Sequence, residues 1–153
     1  MKIGVISDTH DFLDPRVEKI FSGVNHIFHA GDIGSPMLIL ELQFIAPVTA
    51  VQGNCDTGPG YRHTETVELA QKKFLIHHII NPYGLTKAAG DAIAREAPDA
   101  VIFGHTHRKF SGTVNDIFYF NPGYAGKPKF GAERSVAILH LDEKALRHEF
   151  IPL

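Results

Sequence analysis

The segment Lys2–His10, KIGVISDTH, indicates the type of fold. It begins with a short apolar, β-branched run, Lys2–Ser7, that ends in polar residues. A run of this length, closed by polar residues, is typical of a buried strand. Asp14 and Pro15 then open a helical pattern that ends before Gly23. The order strand, polar loop, helix predicts the first unit of an α/β sheet.

The alternation of strand and helix continues in the next part of the chain. His26–Ala30 and Val48–Val51 are predicted strands. Between them, Ser35 supplies an N-cap and Pro36 lies in the first turn of a helix that runs to about Ala46. The central part then holds a predicted hairpin, a helix and a strand: Thr64–Leu69 with Lys73–His77, Leu85–Ala97 and Asp99–Phe103.

The remainder of the chain has only β patterns. Ile117–Phe120 is a predicted strand, and Arg134–Leu141 is expected to pair with Ala145–Ile151 across a turn built on Asp142 and Glu143. Alternating strands and helices followed by hairpins predict a layered α/β fold with mixed sheets. The length of 153 residues matches a typical domain of about 100–150 residues, so we expect residues 1–153 to form a single domain.

Bulk composition restricts the classes of function. The formal net charge is −2 and the basic residues are scattered, which argues against a surface that binds nucleic acid. Apolar runs fall short of the roughly 20 residues that a membrane span requires. The single cysteine, Cys55, suits a reducing compartment. We therefore expect a cytoplasmic protein that acts on a small molecule, whether as a monomer or as a homo-oligomer.

Polar side chains that can bind metals follow the predicted strands. Because ligands bind at the carboxyl ends of strands in open α/β sheets, these side chains are expected to lie close together. They are Asp8 and His10, Asp32, Asn54 and Asp56, His77, and His105 and His107. Several carboxylates and imidazoles in one pocket would repel one another and lose solvation, so divalent cations are their natural partners.

The mixture of ligand types narrows the choice of metal. Imidazole, carboxylate and amide oxygen together favour manganese, iron, zinc or nickel over calcium. Two ions about 3.5–4 Å apart would share one carboxylate and activate a hydroxide nucleophile. Asp32, which is alone in a Gly-Asp loop, is our choice for the shared carboxylate. We expect two divalent ions, with manganese first and magnesium as a further alternative.

Five motifs in order resemble those of the calcineurin-like metallophosphoesterases, and especially the small bacterial and archaeal phosphodiesterases of that superfamily. The motifs are Asp8-Thr9-His10, Gly31-Asp32, Gly53-Asn54-Cys55-Asp56, His77 and Gly104-His105-Thr106-His107. The resemblance implies a four-layer α-β-β-α sandwich of two mixed β-sheets flanked by helices. It also implies hydrolysis of a small phosphate-ester substrate, with diesters preferred over monoesters.

The resemblance further implies a ligand set for each metal. Asp8, His10, Asp32 and His107 would hold one ion, and Asp32, Asn54, His77 and His105 would hold the other. Asp32 would bridge the ions, while Asn54 and His105 would help to stabilise the charge that develops during hydrolysis.

The chain departs from the family pattern at three positions. Ser35 replaces the second carboxylate of a Gly-Asp-x-x-Asp motif. Cys55 replaces a histidine that protonates the leaving group in many members, a contribution of about 10²–10⁴-fold. His77 is followed by His78 rather than by glycine, which makes His78 a rival ligand.

Several alternatives remain open at the level of sequence. Asp56 is interpreted as a loop-shaping carboxylate rather than a ligand, and a nucleophilic role for Cys55 is disfavoured because no adjacent base is evident. A protein-binding scaffold of the same fold and a phosphomonoesterase are the alternative functions. The remaining histidines are interpreted as surface or strand residues: His26, His29, His63, His140 and His148.

Overall fold

A computed structural model of the chain describes residues 1–57, 60–142 and 145–153. The predicted turn on Asp142 and Glu143 lies partly outside these ranges. The elements follow one another as β1 (Lys2–Ile6), α1 (Arg16–Ile20), β2 (His26–His29), α2 (Pro36–Gln43), β3 (Val48–Ala50), β4 (Thr64–Leu69), β5 (Lys72–His77), α3 (Lys87–Glu96), β6 (Ala100–Ile102), β7 (Phe110–Val114), β8 (Ile117–Asn121), β9 (Ser135–Leu141) and β10 (Leu146–Pro152).

The strands form two five-stranded sheets. The first sheet has the order β10-β9-β1-β2-β3 and the second β4-β5-β6-β8-β7. In each sheet three neighbouring strands are parallel, β1-β2-β3 in the first and β5-β6-β8 in the second, while the other pairings are antiparallel. Both sheets are therefore mixed, as predicted.

Three apolar clusters show how the layers are stacked. The central cluster joins the two sheets and includes Val5 and Phe28 of the first sheet and Phe74 and Ile102 of the second. A second cluster packs α1 and α2 against the outer face of the first sheet. A third packs α3 against the outer face of the second sheet, as in the contact of Ile93 with Val101 and its neighbours. The predicted four-layer α-β-β-α sandwich is thus confirmed.

The helix termini follow from local sequence. Ser35 caps α2 by accepting a hydrogen bond from the Met37 amide, 3.3 Å away, and Pro36 occupies the first turn. Thr86 caps α3 in the same way through the Ala89 amide. Because Thr86 is the cap, α3 begins at Lys87 and not at Leu85, where the sequence pattern placed it. No helix in the described ranges is long and apolar enough to span a membrane.

Candidate metal centre

The candidate ligands lie where the carboxyl ends of both parallel ladders meet. Asp8, Asp32 and Asn54 follow the parallel strands β1, β2 and β3, and His105 follows β6 of the second sheet. The loops are joined directly across the sheets, because the His105 amide donates to Asp8 Oδ2 over 3.1 Å. The strand ends that the sequence pattern brings to one place therefore belong to both sheets.

Asp8, His10 and His107 form the first half of the centre. His107 Nε2 lies 3.3 Å from Asp8 Oδ1 and 3.4 Å from His10 Nε2. The ligand atoms of these residues lie within 4.8 Å of one another, which is close enough to share one ion. The ring of Tyr124 stacks on His107 with centroids 4.7 Å apart and so fixes its plane.

Asp32, Asn54, His78 and His105 form the second half. His78 Nε2 lies 3.4 Å from Asp32 Oδ2 and 3.1 Å from Asn54 Oδ1. His105 Nδ1 is 2.9 Å from the same Asn54 oxygen. Asp32 Oδ2 also lies 3.8 Å from His10 Nε2, so this carboxylate faces both halves. Its position is the one that a bridging ligand requires.

His77, the histidine chosen from sequence, is not part of this cluster. Its Nδ1 lies 2.8 Å from Thr64 Oγ1 on the neighbouring strand β4. The next residue, His78, takes its place beside Asp32 and Asn54. The choice made from sequence relied on position along the chain, but successive side chains of a strand point to opposite faces. Phe74 and Ile76 pack between the sheets, and the two-residue period places His78 on that same face.

The tautomer of His78 leaves a lone pair directed into the centre. Its Nδ1 donates to the Ala30 carbonyl over 2.7 Å, so Nε2 of the neutral ring carries no proton. Burial lowers the pKa of His78 and keeps the ring neutral. Nε2 therefore faces the oxygens of Asp32 and Asn54, and all of these atoms are acceptors. A divalent cation can bind to all of them at once, so the residues present fit a divalent metal.

Asp8 supplies a second observation that fits a cation. Its Oδ1 is the one buried side-chain oxygen or nitrogen in the described ranges that has no hydrogen-bond partner. The pKa of Asp8 is raised to about 7, chiefly by burial and also by the nearby Asp32 carboxylate, while the hydrogen bond from Ser7 opposes the rise. A buried carboxylate with a free oxygen beside two imidazoles requires compensation by positive charge.

Backbone conformation is strained at the centre. Asp8, His10, Asp32, His105 and His107 all have positive φ, between 45° and 66°. A positive φ is uncommon for residues other than glycine, and such outliers cluster at functional sites, where they cost on the order of 1–3 kcal/mol each. The tight turns after the strands aim these side chains inward.

Two glycines allow the loops to approach one another. A Cβ on Gly31, whose φ is +95°, would meet the ring of His78 at 2.7 Å. A Cβ on Gly104 would overlap the Ser7 hydroxyl and lie 2.8 Å from Asp8 Oδ2. Neither position tolerates a side chain without displacing a candidate ligand.

His29 holds the two metal-binding loops of the first sheet, although its sequence context suggested only a strand residue. The ring is fully buried, and burial lowers its pKa to about 3. Its Nδ1 accepts from the Gly31 amide, so Nε2 donates to Thr9 Oγ1 over 2.9 Å. Thr9 in turn donates to the Ile33 carbonyl. The chain of hydrogen bonds ties the Asp8–His10 turn to the Asp32 turn.

Asn121 and Asp56 support the remaining loops. Asn121 is fully buried, donates to the Gly104 carbonyl over 2.8 Å and accepts from the Gly123 amide. It therefore fixes the loop that carries His105. Asp56 accepts hydrogen bonds from the Gly34 and Gly53 amides, and it joins the loops after β2 and β3. This geometry matches the loop-shaping role expected from sequence.

Cys55 lies at the surface of the centre as a thiol. Its backbone amide donates to Asp32 Oδ1 over 2.8 Å. The side chain also donates to Asp32, and this hydrogen bond raises the pKa of the thiol. Thiolates rather than thiols are nucleophiles, so the environment of Cys55 disfavours covalent catalysis.

Sequence comparisons place the chain among phosphoesterases. The sequence-family model of the calcineurin-like phosphoesterase superfamily domain matches residues 1–144. A probable metallophosphoesterase of Methanothermobacter thermautotrophicus is 35% identical and aligns over 99% of this chain and 92% of its own. The phosphodiesterase YfcE of Escherichia coli is 30% identical over 93% of this chain and 89% of its own.

Comparisons of structure give the same fold. A solved archaeal phosphodiesterase superposes with a TM-score of 0.78 at 29% identity and covers 99% of this chain and 100% of its own. A Vps29 chain of Entamoeba histolytica has the same TM-score at 18% identity and covers 100% of this chain and 99% of its own. At that lower identity the likeness concerns the fold alone.

Proposed function

Since the chain belongs to the calcineurin-like phosphoesterase superfamily, we propose that it is a metal-dependent phosphodiesterase of small substrates. Phosphoric ester hydrolysis is the activity for which its relatives are named. The observation that carries the proposal is the pairing of two ligand groups around one shared carboxylate, Asp32.

We assign Asp8, His10, Asp32 and His107 to one ion. Asp32, Asn54, His78 and His105 are assigned to the other, with His78 in the position first given to His77. Divalent cations bound there would neutralise the phosphate and lower the pKa of a water molecule to supply the nucleophile. Manganese is our first choice because the donor set mixes imidazole with hard oxygen ligands.

The protein side chains then have separate tasks. Asp32 holds its Oδ2 towards both halves, because its Oδ1 is already engaged by the Cys55 amide. Burial alone would raise the pKa of Asp32, but the hydrogen bonds from the Cys55 amide and thiol outweigh it and the pKa is lowered. The carboxylate is thus ionised and ready to bind cations. Asn54 and His105 lie at the exposed side of the centre, where they can stabilise charge on the phosphate oxygens.

The environment of residue 55 predicts the type of leaving group. The Cys55 thiol has a raised pKa and donates to Asp32, so it is a poor proton donor for a departing alcohol. Esters of acidic alcohols, which leave without protonation, should therefore react fastest.

Turnover of bis(p-nitrophenyl) phosphate and p-nitrophenyl phosphate tests the proposal. Metal-stripped protein resupplied with manganese, nickel, zinc or magnesium should hydrolyse the diester faster than the monoester. Asp32→Asn should lose activity by at least about 10²-fold, as expected when a metal ligand is removed. Asp91→Asn, a change on the exposed side of α3, is the matched control.

Each outcome discriminates between the functions considered. Equal turnover of monoester and diester would support a monoesterase instead. Absence of turnover with every metal, in protein shown to be folded, would contradict the enzyme and favour a protein-binding scaffold of the same fold.

A further inference from the structure

Two clefts begin at the candidate metal centre and are separated by the loop Thr106–Lys109. One has a volume of about 460 Å³ and includes His107, Glu133 and Ser135. The other has a volume of about 680 Å³ and includes His105. Thr106, Arg108 and Lys109 border both. We call the first the polar cleft and the second the aromatic cleft.

The walls of the aromatic cleft are apolar and partly exposed. They are formed by Ile79, Ile80, Pro82, Tyr83, Phe103 and Phe110. The side chain of Tyr83 is 77% exposed and that of Ile79 is 44% exposed. Large apolar side chains grouped at the surface beside polar ligands mark a binding site more often than a structural feature.

Tyr83 is held in place by its own turn. Asn81 Oδ1 accepts from the Tyr83 amide over 3.1 Å, and the Asn81 carbonyl accepts from the Gly84 amide. The Tyr83 ring faces that of Phe110 with centroids 6.4 Å apart and planes at 81°. The two rings form a corner in which a third flat ring can meet one by its face and the other by its edge.

The charges around the aromatic cleft favour an anion. Arg108 borders it, and none of the described residues that line it is acidic. Lys109 also borders the cleft, but its Nζ pairs with Glu133 of the polar cleft over 3.0 Å. His105, at its inner end, is 2.9 Å from Asn54 and so belongs to the candidate metal centre. A ligand in this cleft can place a phosphate at the centre and an apolar group between the rings.

We propose that the aromatic cleft binds an aromatic ring carried by the phosphate ester, either an aryl group or a nucleobase. The inference rests on the proposed function and adds the class of substrate. The volume of the cleft lies within the range of about 300–1,000 Å³ that is usual for small-molecule sites. The polar cleft, on the other side of the same loop, has room for the second alcohol group of a diester.

Calorimetric binding of paired phosphonates to manganese-loaded protein tests the inference without turnover. Phenylphosphonate and methylphosphonate present the same anionic group and differ in the ring alone. Phenylphosphonate should bind at least about tenfold more tightly, which corresponds to roughly 1.4 kcal/mol. Tyr83→Ala should reduce this preference to less than about threefold, and Tyr83→Phe should restore it because the ring is retained.

A second pair of ligands shows whether the ring is a nucleobase or an aryl group, and a control variant shows whether the loss of preference is specific to the aromatic cleft. Thymidine 5′-monophosphate that binds more tightly than deoxyribose 5-phosphate supports a nucleobase, whereas equal binding overturns the nucleobase and leaves an aryl ester. Phe44→Ala alters an aromatic side chain outside the cleft that is 92% exposed, and it should keep the wild-type preference.

The inference and the proposed function fail in different ways. Equal affinities of the wild type for the two phosphonates, or a preference unchanged in Tyr83→Ala, would overturn the aromatic cleft while diester turnover persists. Loss of the proposed function would instead appear as absent turnover of bis(p-nitrophenyl) phosphate.

Discussion

His77 and His78 are neighbours at the end of β5, yet their rings have different surroundings. The ring of His77 contacts Thr64 on the adjacent strand and is half-buried. The ring of His78 is 3% exposed and lies between Ala30, Asp32 and Asn54. The difference follows from the alternation of side chains along a strand, in which His78 shares the inter-sheet face of Phe74 and Ile76.

Alanine variants of the two histidines should separate these environments. We expect His78→Ala to reduce diester turnover by more than about 10²-fold and to weaken manganese binding, because it removes a directed nitrogen ligand. Turnover and the rise in melting temperature on addition of manganese are the two measurements. His77→Ala is the matched control and should keep activity within about twofold while losing roughly 1 kcal/mol with its hydrogen bond. A larger loss of turnover and of manganese binding in His77→Ala than in His78→Ala would contradict the assignment of His78 as a ligand.

Sequence alone predicts much of the candidate site at the residue scale. Asp8, Asp32 and Asn54 could be recognised because each follows a strong strand signal and precedes a turn. The supporting residues His29 and Asn121 could not, since a buried strand histidine and a turn asparagine have many roles. Their function depends on which backbone groups approach them, and those contacts span 20 and 17 residues.

At the scale of elements, the sequence pattern does not predict the edge strand β7. Phe110–Val114 contains Ser111, Gly112 and Thr113, and it has no fully buried residue. An edge strand has one neighbour and is weakly specified by hydrophobic alternation. It forms because β8 supplies a complete antiparallel partner from Phe110 opposite Asn121 to Val114 opposite Ile117.

The turn between β4 and β5 has a strained backbone that a change of residue type can relieve. Leu69 pairs with Lys72, so Ala70 and Gln71 form a two-residue turn, and both have positive φ, 49° and 62°. A turn with two positive φ values is best occupied by Asn-Gly, and β-carbons other than those of Asn and Asp are disfavoured there.

Replacement of Ala70-Gln71 by Asn-Gly should stabilise the protein. We expect a gain of about 1 kcal/mol and a rise in melting temperature of about 2–4 °C, measured by thermal unfolding. The hairpin of β7 and β8 provides the comparison, because Asn115 and Asp116 already have φ values of 50° and 64°. Asn115→Ala should lower the melting temperature. A destabilised Asn-Gly variant would show that the turn residues make other contacts that outweigh the backbone conformation.

At the scale of the whole molecule, the centre exists only because the two sheets are packed face to face. Asp8 and Asp32 come from the first sheet, and His78 and His105 come from the second. The chain order of the motifs predicts that they share an edge within each sheet, but the distances between sheets depend on the central apolar cluster. Periodicity therefore predicts the layers of the fold. That His78 rather than His77 lies beside Asp32 and Asn54 can be seen only once the two sheets are packed together.

A buried ion pair also links distant parts of the chain. Asp14, just before α1, accepts a hydrogen bond from Arg134 Nη2 over 2.8 Å across a separation of 120 residues. Both side chains are 7% exposed, and Arg134 is also held by the Gly126 carbonyl. Asp14 accepts further hydrogen bonds from Arg16, which is more exposed. The pair joins the turn after β1 to the start of β9.

Replacement of Asp14 by asparagine should make stability depend less on pH. Hydrogen bonds from Arg16, together with that from Arg134, hold the pKa of Asp14 well below its usual range against the effect of burial. A carboxylate with a lowered folded pKa stabilises the protein above its unfolded pKa of about 3.9, and that stability is lost as pH falls towards the folded pKa. At pH 7 we expect the free energy of unfolding of Asp14→Asn to be about 2 kcal/mol lower than that of the wild type. The pair with Arg16 contributes little to this loss, because the Arg16 side chain is exposed.

Urea unfolding of the wild type and the variant from pH 7 to pH 2 measures this difference. The gap between them should stay constant down to about pH 4 and then narrow, because the unfolded wild-type chain takes up a proton at Asp14 there while the folded chain does not, and the variant has no carboxyl at this position. Asp91→Asn is the matched control: Asp91 pairs with Lys87 on the surface of α3, where both side chains are well exposed, and its effect should stay within about 0.5 kcal/mol. A gap that persists unchanged to pH 2 would mean that Asp14 acts through its shape and neutral hydrogen bonds, because a contribution from its charge must shrink once the carboxyl of the unfolded chain is protonated.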